Sequence, residues 1–183
     1  MVTYRILESN PKGSLRPPEF NEFRRISKMK SVDLGDEGVF IIDDGEWKFD
    51  AIGLPIHGGR RLENIEYEIV TSVTNGETDN LSTSSSILLD LWSRGLNTRS
   101  GFKYGTKWRC YPGDVGEGHA PWLIVDPTSG NPKNWAEACL SSRLASGVNK
   151  DWLYPIKEDE NSWRYLQISR PPSDSRWSNP IRY

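Results

Sequence analysis

The sequence predicts a mixed α/β (α+β) fold: a small N-terminal α/β domain (1–78), then a C-terminal domain (79–183) with a mixed sheet flanked by helices and an irregular tail. Three observations carry this. Of 183 residues, 36% are hydrophobic and 26% charged, the balance of a globular chain that can fill one large core or two small ones. Apolar residues recur at helical spacing in some segments and alternate in others, so helices and strands are interleaved. NGETDNLSTSSS (75–86) breaks the pattern with a polar run that lacks apolar periodicity, as a connection between two units does.

PPEFNEFRRISK (17–28) reads as a short helix, with Phe20, Phe23 and Ile26 roughly on one face and two prolines before it. EGVFIIDDGEWKFDAIGLP (37–55) reads as two strands around a turn at Asp44-Gly45. RLENIEYEIVTSVT (61–74) is ambiguous. Its β-branched and aromatic residues favour strand, and a helix is possible for its first half. SSSILLDLWSRG starts with serine caps and stops at Arg94-Gly95, with glycine where a left-handed C-cap belongs, so it reads as a helix. LNTRSGFKYG leads into TKWRCY, a half-buried strand. PGDVGEGH is a turn-rich loop, and APWLIVDP a buried strand. NWAEACLSSRLASGV is a helix with Asn134 near its N-cap and Trp135, Ala138 and Leu144 turned inward. NKDWLYPI and SWRYLQIS are strands joined by KEDEN. The tail RPPSDSRWSNPIRY is proline-rich and irregular.

Composition excludes several classes. No apolar run approaches the ~18 residues of a membrane span. The N-terminal stretch MVTYRILESNPKGS lacks the apolar core of a secretory signal, so the expected location is cytoplasmic. Cys110 and Cys139 are outside any metal-ligand spacing and read as reduced, buried small residues, with a disulfide as the alternative. No glycine-rich phosphate loop is present. The net charge of −2 argues against a nucleic-acid binder, but its distribution does not. Asp33, Asp36, Glu37, Asp43, Asp44, Glu46 and Asp50 gather in one segment with only Lys48. Arg94, Arg99, Lys103, Lys107 and Arg109 gather in another without acids.

Three residues stand out as candidates for chemistry. His119 ends a flexible loop and begins a strand, and imidazole exchanges protons near neutral pH. Tyr111 ends the preceding strand. Alternation turns it away from Cys110, so only one of the two can face a given site. A tyrosine serves as base only where nearby cations favour its phenolate. Lys150 follows a predicted helix, where a lysine also complements the helix dipole. Two histidines and two scattered cysteines do not make a zinc site, and the sequence calls for no metal and no cofactor.

The run LLDLWSRGLNTRSGFKYGTKWRCYPGDVGEGHAPWLIVDP, with the later SSRLASGVNK, resembles the catalytic domain of the tRNA-splicing endonucleases of archaeal type. Arg94-Gly95, the run from Ser100 to Gly105, Tyr111, His119 and the segment from Arg143 to Lys150 carry the resemblance, which covers roughly residues 82–170. It implies a metal-independent ribonuclease that cuts precursor tRNA at bulge–helix–bulge motifs and leaves 2′,3′-cyclic phosphate and 5′-hydroxyl ends. Tyr111 would be general base, His119 general acid, and Lys150 the stabiliser of the scissile phosphate. Arg143 would stack on a flipped base, with Trp163 or Arg164 opposite, and Lys103 and Lys107 would add to the RNA surface. Glu158, Asp159 and Glu160 would dock into a neighbouring subunit. The partner would be a structural subunit, as a heterotetramer, or a second copy of the chain. Two alternatives remain open: a non-catalytic RNA-binding or scaffold subunit, and a metal-dependent nuclease using Asp114, Glu117 and Asp126.

Overall fold

A computed structural model describes residues 5–43, 45, 47, 49–130, 132–159 and 162–169. The Pro-rich tail from residue 170, Asp44 of the expected turn, and Glu160 are outside the described residues.

The described chain forms two sheets and four α-helices, an α+β fold. Strands β2 (Ser31–Asp33), β3 (Val39–Ile42), β4 (Leu54–Ile56) and β5 (Gly59–Leu62) make an antiparallel sheet in the order β2-β3-β5-β4. Strand β3 therefore pairs with β2 and β5, and residues 49–53 are not strand. Among the described residues the next strand after β3 is β4. Helix α1 (Phe20–Ser27) buries Phe23 and Ile26, whereas Phe20 is half exposed. Its Glu19 and Glu22 form a reciprocal capping box.

Helix α2 (Asn64–Asn75) corrects the reading of 61–74, which is strand only at its first two residues. Ile65, Ile69 and Val73 repeat every four residues, and Ile69 and Val70 are wholly buried. A second capping box, Glu63 with Glu66, starts the helix. Local β-propensity lost to packing on both sides, since α2 touches α1 and helix α3 (Thr83–Ser93). Ser82, in the expected connection, caps α3 by accepting from the Ser85 amide.

The larger sheet runs β1-β10-β9-β8-β7-β6. Its members are β1 (Arg5–Ser9), β6 (Asn97–Ser100), β7 (Trp108–Tyr111), β8 (Trp122–Ile124), β9 (Asp151–Asp159) and β10 (Ser162–Ser169). Only β8 and β9 are parallel. The connection between them is helix α4 (Trp135–Ser146), as parallel pairing requires. Strand β6 had read only as a lead-in to β7. Helices α3 and α4 cover opposite faces. Ile124 and Leu153 join the α3 cluster, while their neighbours Leu123 and Trp152 join the α4 cluster. On α4, Ala138 is buried as expected, but Trp135 and Leu144 are 51% and 65% exposed and do not turn inward.

A boundary near residue 78 remains a proposal. Strand β1, from the N-terminal side of that point, pairs with β10 in the larger sheet. Trp92 of α3 stacks on Phe23, meets Phe49 edge-on and donates to Thr98 of β6, so one core serves both halves.

Candidate active site

The register of the larger sheet gathers the candidate residues at one end. Cys110 pairs with Trp122, and Trp122 with Asp151. The last residue of β7, the residues before β8 and the residues before β9 are therefore neighbours. Those are the positions of Tyr111, His119 and Lys150.

Tyr111 and Cys110 fall on opposite faces, as alternation demands. Cys110 is in the α3 core, where burial pushes its thiol up. Tyr111 is 8% exposed and is flanked by the Arg109 guanidinium, 5.9 Å from its ring centre. Directly across from Tyr111 is Asn97 of β6, wholly buried, with neither amide atom bonded among the described residues. Both cysteines are free and buried, as composition suggested.

From Tyr111 the chain leaves the sheet through a loop that returns at Ala120. Tyr111, Pro112, Gly113, Asp114, Glu117, Gly118 and His119 line a cavity of about 270 Å³ there. Ser14 completes its wall, and sequence reasoning missed it. Its backbone N–H donates to the Pro112 carbonyl at 2.6 Å and its hydroxyl to the same oxygen at 3.0 Å. Nothing in the local sequence marks a contact between positions 98 residues apart.

Lys150 is outside the cavity wall but tied to it. Helix α4 ends at Gly147, and Asn149 takes a left-handed φ of 55° that turns the chain into β9. This delivers Lys150 beside the start of β8, where its ammonium donates to the carbonyl of Ala120, the residue after His119. The same ammonium is 5.5 Å from the Tyr104 ring centre. The next residue is Asp151, whose carboxyl burial pushes up against a hydrogen bond from Gln167.

The outer candidates are less closely gathered. Arg143 is exposed on the last turn of α4, and Lys103 is exposed on a short 3₁₀ turn after β6. Lys107 pairs with Glu63 at 3.3 Å. Arg164 and Glu158, assigned to different surfaces from sequence, are hydrogen-bonded ion-pair partners across β9 and β10. Asp159 is exposed at the end of β9. Two cations of the basic segment are structural: Arg94 binds Asp90 and the Trp163 carbonyl, and Arg99 binds the carbonyls of Asp50 and Ala51. Of the three carboxylates in the metal alternative, Asp114 and Glu117 line the cavity. Asp126 instead accepts from Ser84 and Thr128.

Residues 83–165 match the family described as tRNA intron endonuclease, catalytic C-terminal domain. The chain is 29% identical over 167 residues to a tRNA-splicing endonuclease of Thermoplasma volcanium, covering 91% of this chain and 50% of that protein. It is 29% identical over 140 residues to one from Picrophilus torridus, covering 76% and 44%. It is 31% identical over 86 residues to one from Methanopyrus kandleri, covering 43% and 48%. The chain thus spans about half the length of the curated relatives it matches. No helix among the described residues is long and apolar enough to cross a membrane.

Proposed function

We propose, from the match of residues 83–165 to the tRNA intron endonuclease catalytic domain, that the chain is a catalytic subunit that cuts precursor tRNA at bulge–helix–bulge motifs. The observation that carries the reading is the shared cavity of Tyr111 and His119, with Lys150 anchored to the residue after the histidine.

In this mechanism the Tyr111 phenolate takes the proton of the ribose 2′-hydroxyl at the cut site. The 2′-oxygen bonds to phosphorus as the bond from phosphorus to the 5′-oxygen breaks. His119 as imidazolium gives its proton to that leaving oxygen. Lys150 offers positive charge to the non-bridging oxygens. In-line transfer needs such a set: a base and an acid on opposite sides of the phosphate, and a cation beside it. The products are a 2′,3′-cyclic phosphate and a 5′-hydroxyl. A bulge suits the chemistry because an unstacked nucleotide can rotate its 2′-hydroxyl into line. Arg143, Arg164, Lys103 and Lys107 supply cationic contacts to the RNA. Arg143 in particular offers a guanidinium plane for stacking on a base. Glu158, Asp159 and Glu160 contribute to an interface with a structural subunit or a second copy.

The test is cleavage of a bulge–helix–bulge precursor RNA by the full chain, with its partner subunit where the assembly has one, in excess EDTA. Undiminished cleavage with cyclic-phosphate ends is expected, since every group invoked is a side chain. Activity abolished by EDTA and restored by magnesium would instead favour a carboxylate-bound metal at Asp114 and Glu117.

A further inference from the structure

Three consecutive backbone amides near the N-terminus are spent on the base of the candidate site. The Gly13 amide donates to the Arg94 carbonyl at 3.0 Å, Ser14 to Pro112 at 2.6 Å and Leu15 to Gly95 at 3.1 Å. The chain here alternates between the exit of α3 and the first residue of the loop between Tyr111 and His119. The approach is close enough to dictate residue type. A Cβ on Gly13 would stand 1.9 Å from the Gly95 oxygen and 2.9 Å from the Pro112 oxygen. A Cβ on Gly95 would stand 2.3 Å from the Leu15 oxygen, and Gly95 itself has φ +75°. Arg94 adds a further tie, with its guanidinium reaching Asn10 as well as Asp90 and Trp163.

The loop that follows Pro112 carries Gly113, Gly116 and Gly118 and runs outside any helix or strand. At its far end, Ala120 is held by Lys150. At its near end, the Pro112 carbonyl receives two bonds from one residue, Ser14, whose side chain also forms part of the cavity wall. The loop is thus clamped at both ends, and the near clamp comes from a segment about 100 residues away.

We propose that residues 13–15 are a strap that fixes the Tyr111 end of the loop relative to His119, with the Ser14 hydroxyl as a positioning residue. The idea rests on the reading that Tyr111 and His119 are catalytic. Ser14 itself transfers no proton. It holds the Pro112 carbonyl, and through it the separation of base and acid, on which rate depends steeply.

The test compares the full chain, with its partner subunit where the assembly has one, as wild type, Ser14→Ala and Ser14→Thr in steady-state cleavage of a bulge–helix–bulge RNA. Ser14→Ala is expected to lower kcat about tenfold with KM within about twofold. Ser14→Thr, which keeps the hydroxyl, is expected to restore kcat to within about twofold. An unchanged kcat in the alanine variant, a loss that threonine does not restore, or a rise in KM at constant kcat would each overturn the proposal. The last would make Ser14 a substrate contact instead. Amide hydrogen exchange of residues 113–119 gives a second reading that needs no activity. Exchange is expected to be faster in Ser14→Ala than in wild type, and equal exchange rules the strap out. Wild-type chain that fails to cleave would sink the catalytic reading, and the exchange comparison would still decide the strap.

Discussion

On the α3 face of the larger sheet, Trp92, Cys110, Ile124, Leu153 and Tyr165 belong to one buried cluster that continues to Phe23, Ile41 and Ile69 in the N-terminal half. On the α4 face the cluster is small: Leu123, Val125, Ala138, Ala145, Trp152 and Ile168. The polar groups differ in the same way. Tyr165 on the α3 face gives its hydroxyl to Asp90, and burial with that carboxylate pushes its phenol well up. Tyr111 is turned to the other face and lines an open cavity. One sheet therefore carries a tyrosine bonded into the core and another that faces a cavity. What separates them is the side of the pleat each is on, and which helix covers that side.

Substitutions on the two sides should therefore fail differently. The largest effect belongs to the site end. His119→Ala should lower cleavage on the order of 10²–10⁴-fold while leaving RNA binding and thermal stability nearly unchanged, because the side chain is exposed. A filter-binding assay and a melting curve beside the rate measurement check this, and unaltered cleavage would remove His119 from the mechanism. Trp92→Ala does the reverse. It removes a wholly buried ring that touches Phe23 and Phe49 and donates to Thr98, so unfolding in urea should become easier by about 3–5 kcal/mol. A loss below about 1 kcal/mol would mean that the two halves do not depend on their shared core.

A smaller effect sharpens the contrast through pH. Burial pushes the Glu66 carboxyl up to about 7, against hydrogen bonds from the Gly53 and Glu63 amides. An unfolded glutamate titrates near ~4.3. Between these values the folded chain holds a proton that the unfolded chain has lost, so stability falls as pH rises through the window and levels off above it. With allowance for partial exposure, the fall should be on the order of 1–3 kcal/mol. Urea unfolding at pH 5 and pH 8 measures it. Glu66→Gln should flatten the difference whatever its own offset, and an identical difference in the variant would assign the pH dependence elsewhere.

Much of the architecture could be read from local pattern. The helices α1, α3 and α4 announced themselves by caps and periodicity, and β7, β8, β9 and β10 by alternation and apolar runs. Helix α2 did not, because Ile65, Ile69, Val70 and Val73 suit a strand as well as a helix, and neighbours on two sides settled the matter. The face of α4 was half misread, since Trp135 and Leu144 are apolar yet exposed. Strand β1 was invisible, since five residues acquire meaning only beside β10.

The sequence by itself offered candidates for chemistry and set the side of β7 that Cys110 and Tyr111 each take. Tyr111, His119 and Lys150 are chemically suited and stand at segment ends, and a period of two sends Cys110 and Tyr111 apart without further help. The tertiary structure alone decided that these three segment ends meet at one end of a sheet, that Arg164 pairs with Glu158, and that Ser14 reaches the Pro112 carbonyl. The reason is range. Caps, pleats and turns act across a few neighbouring residues and leave marks in the local pattern. A parallel strand pair and a strap from position 14 to position 112 are closed by long loops, whose ends carry no trace of each other until the core has formed.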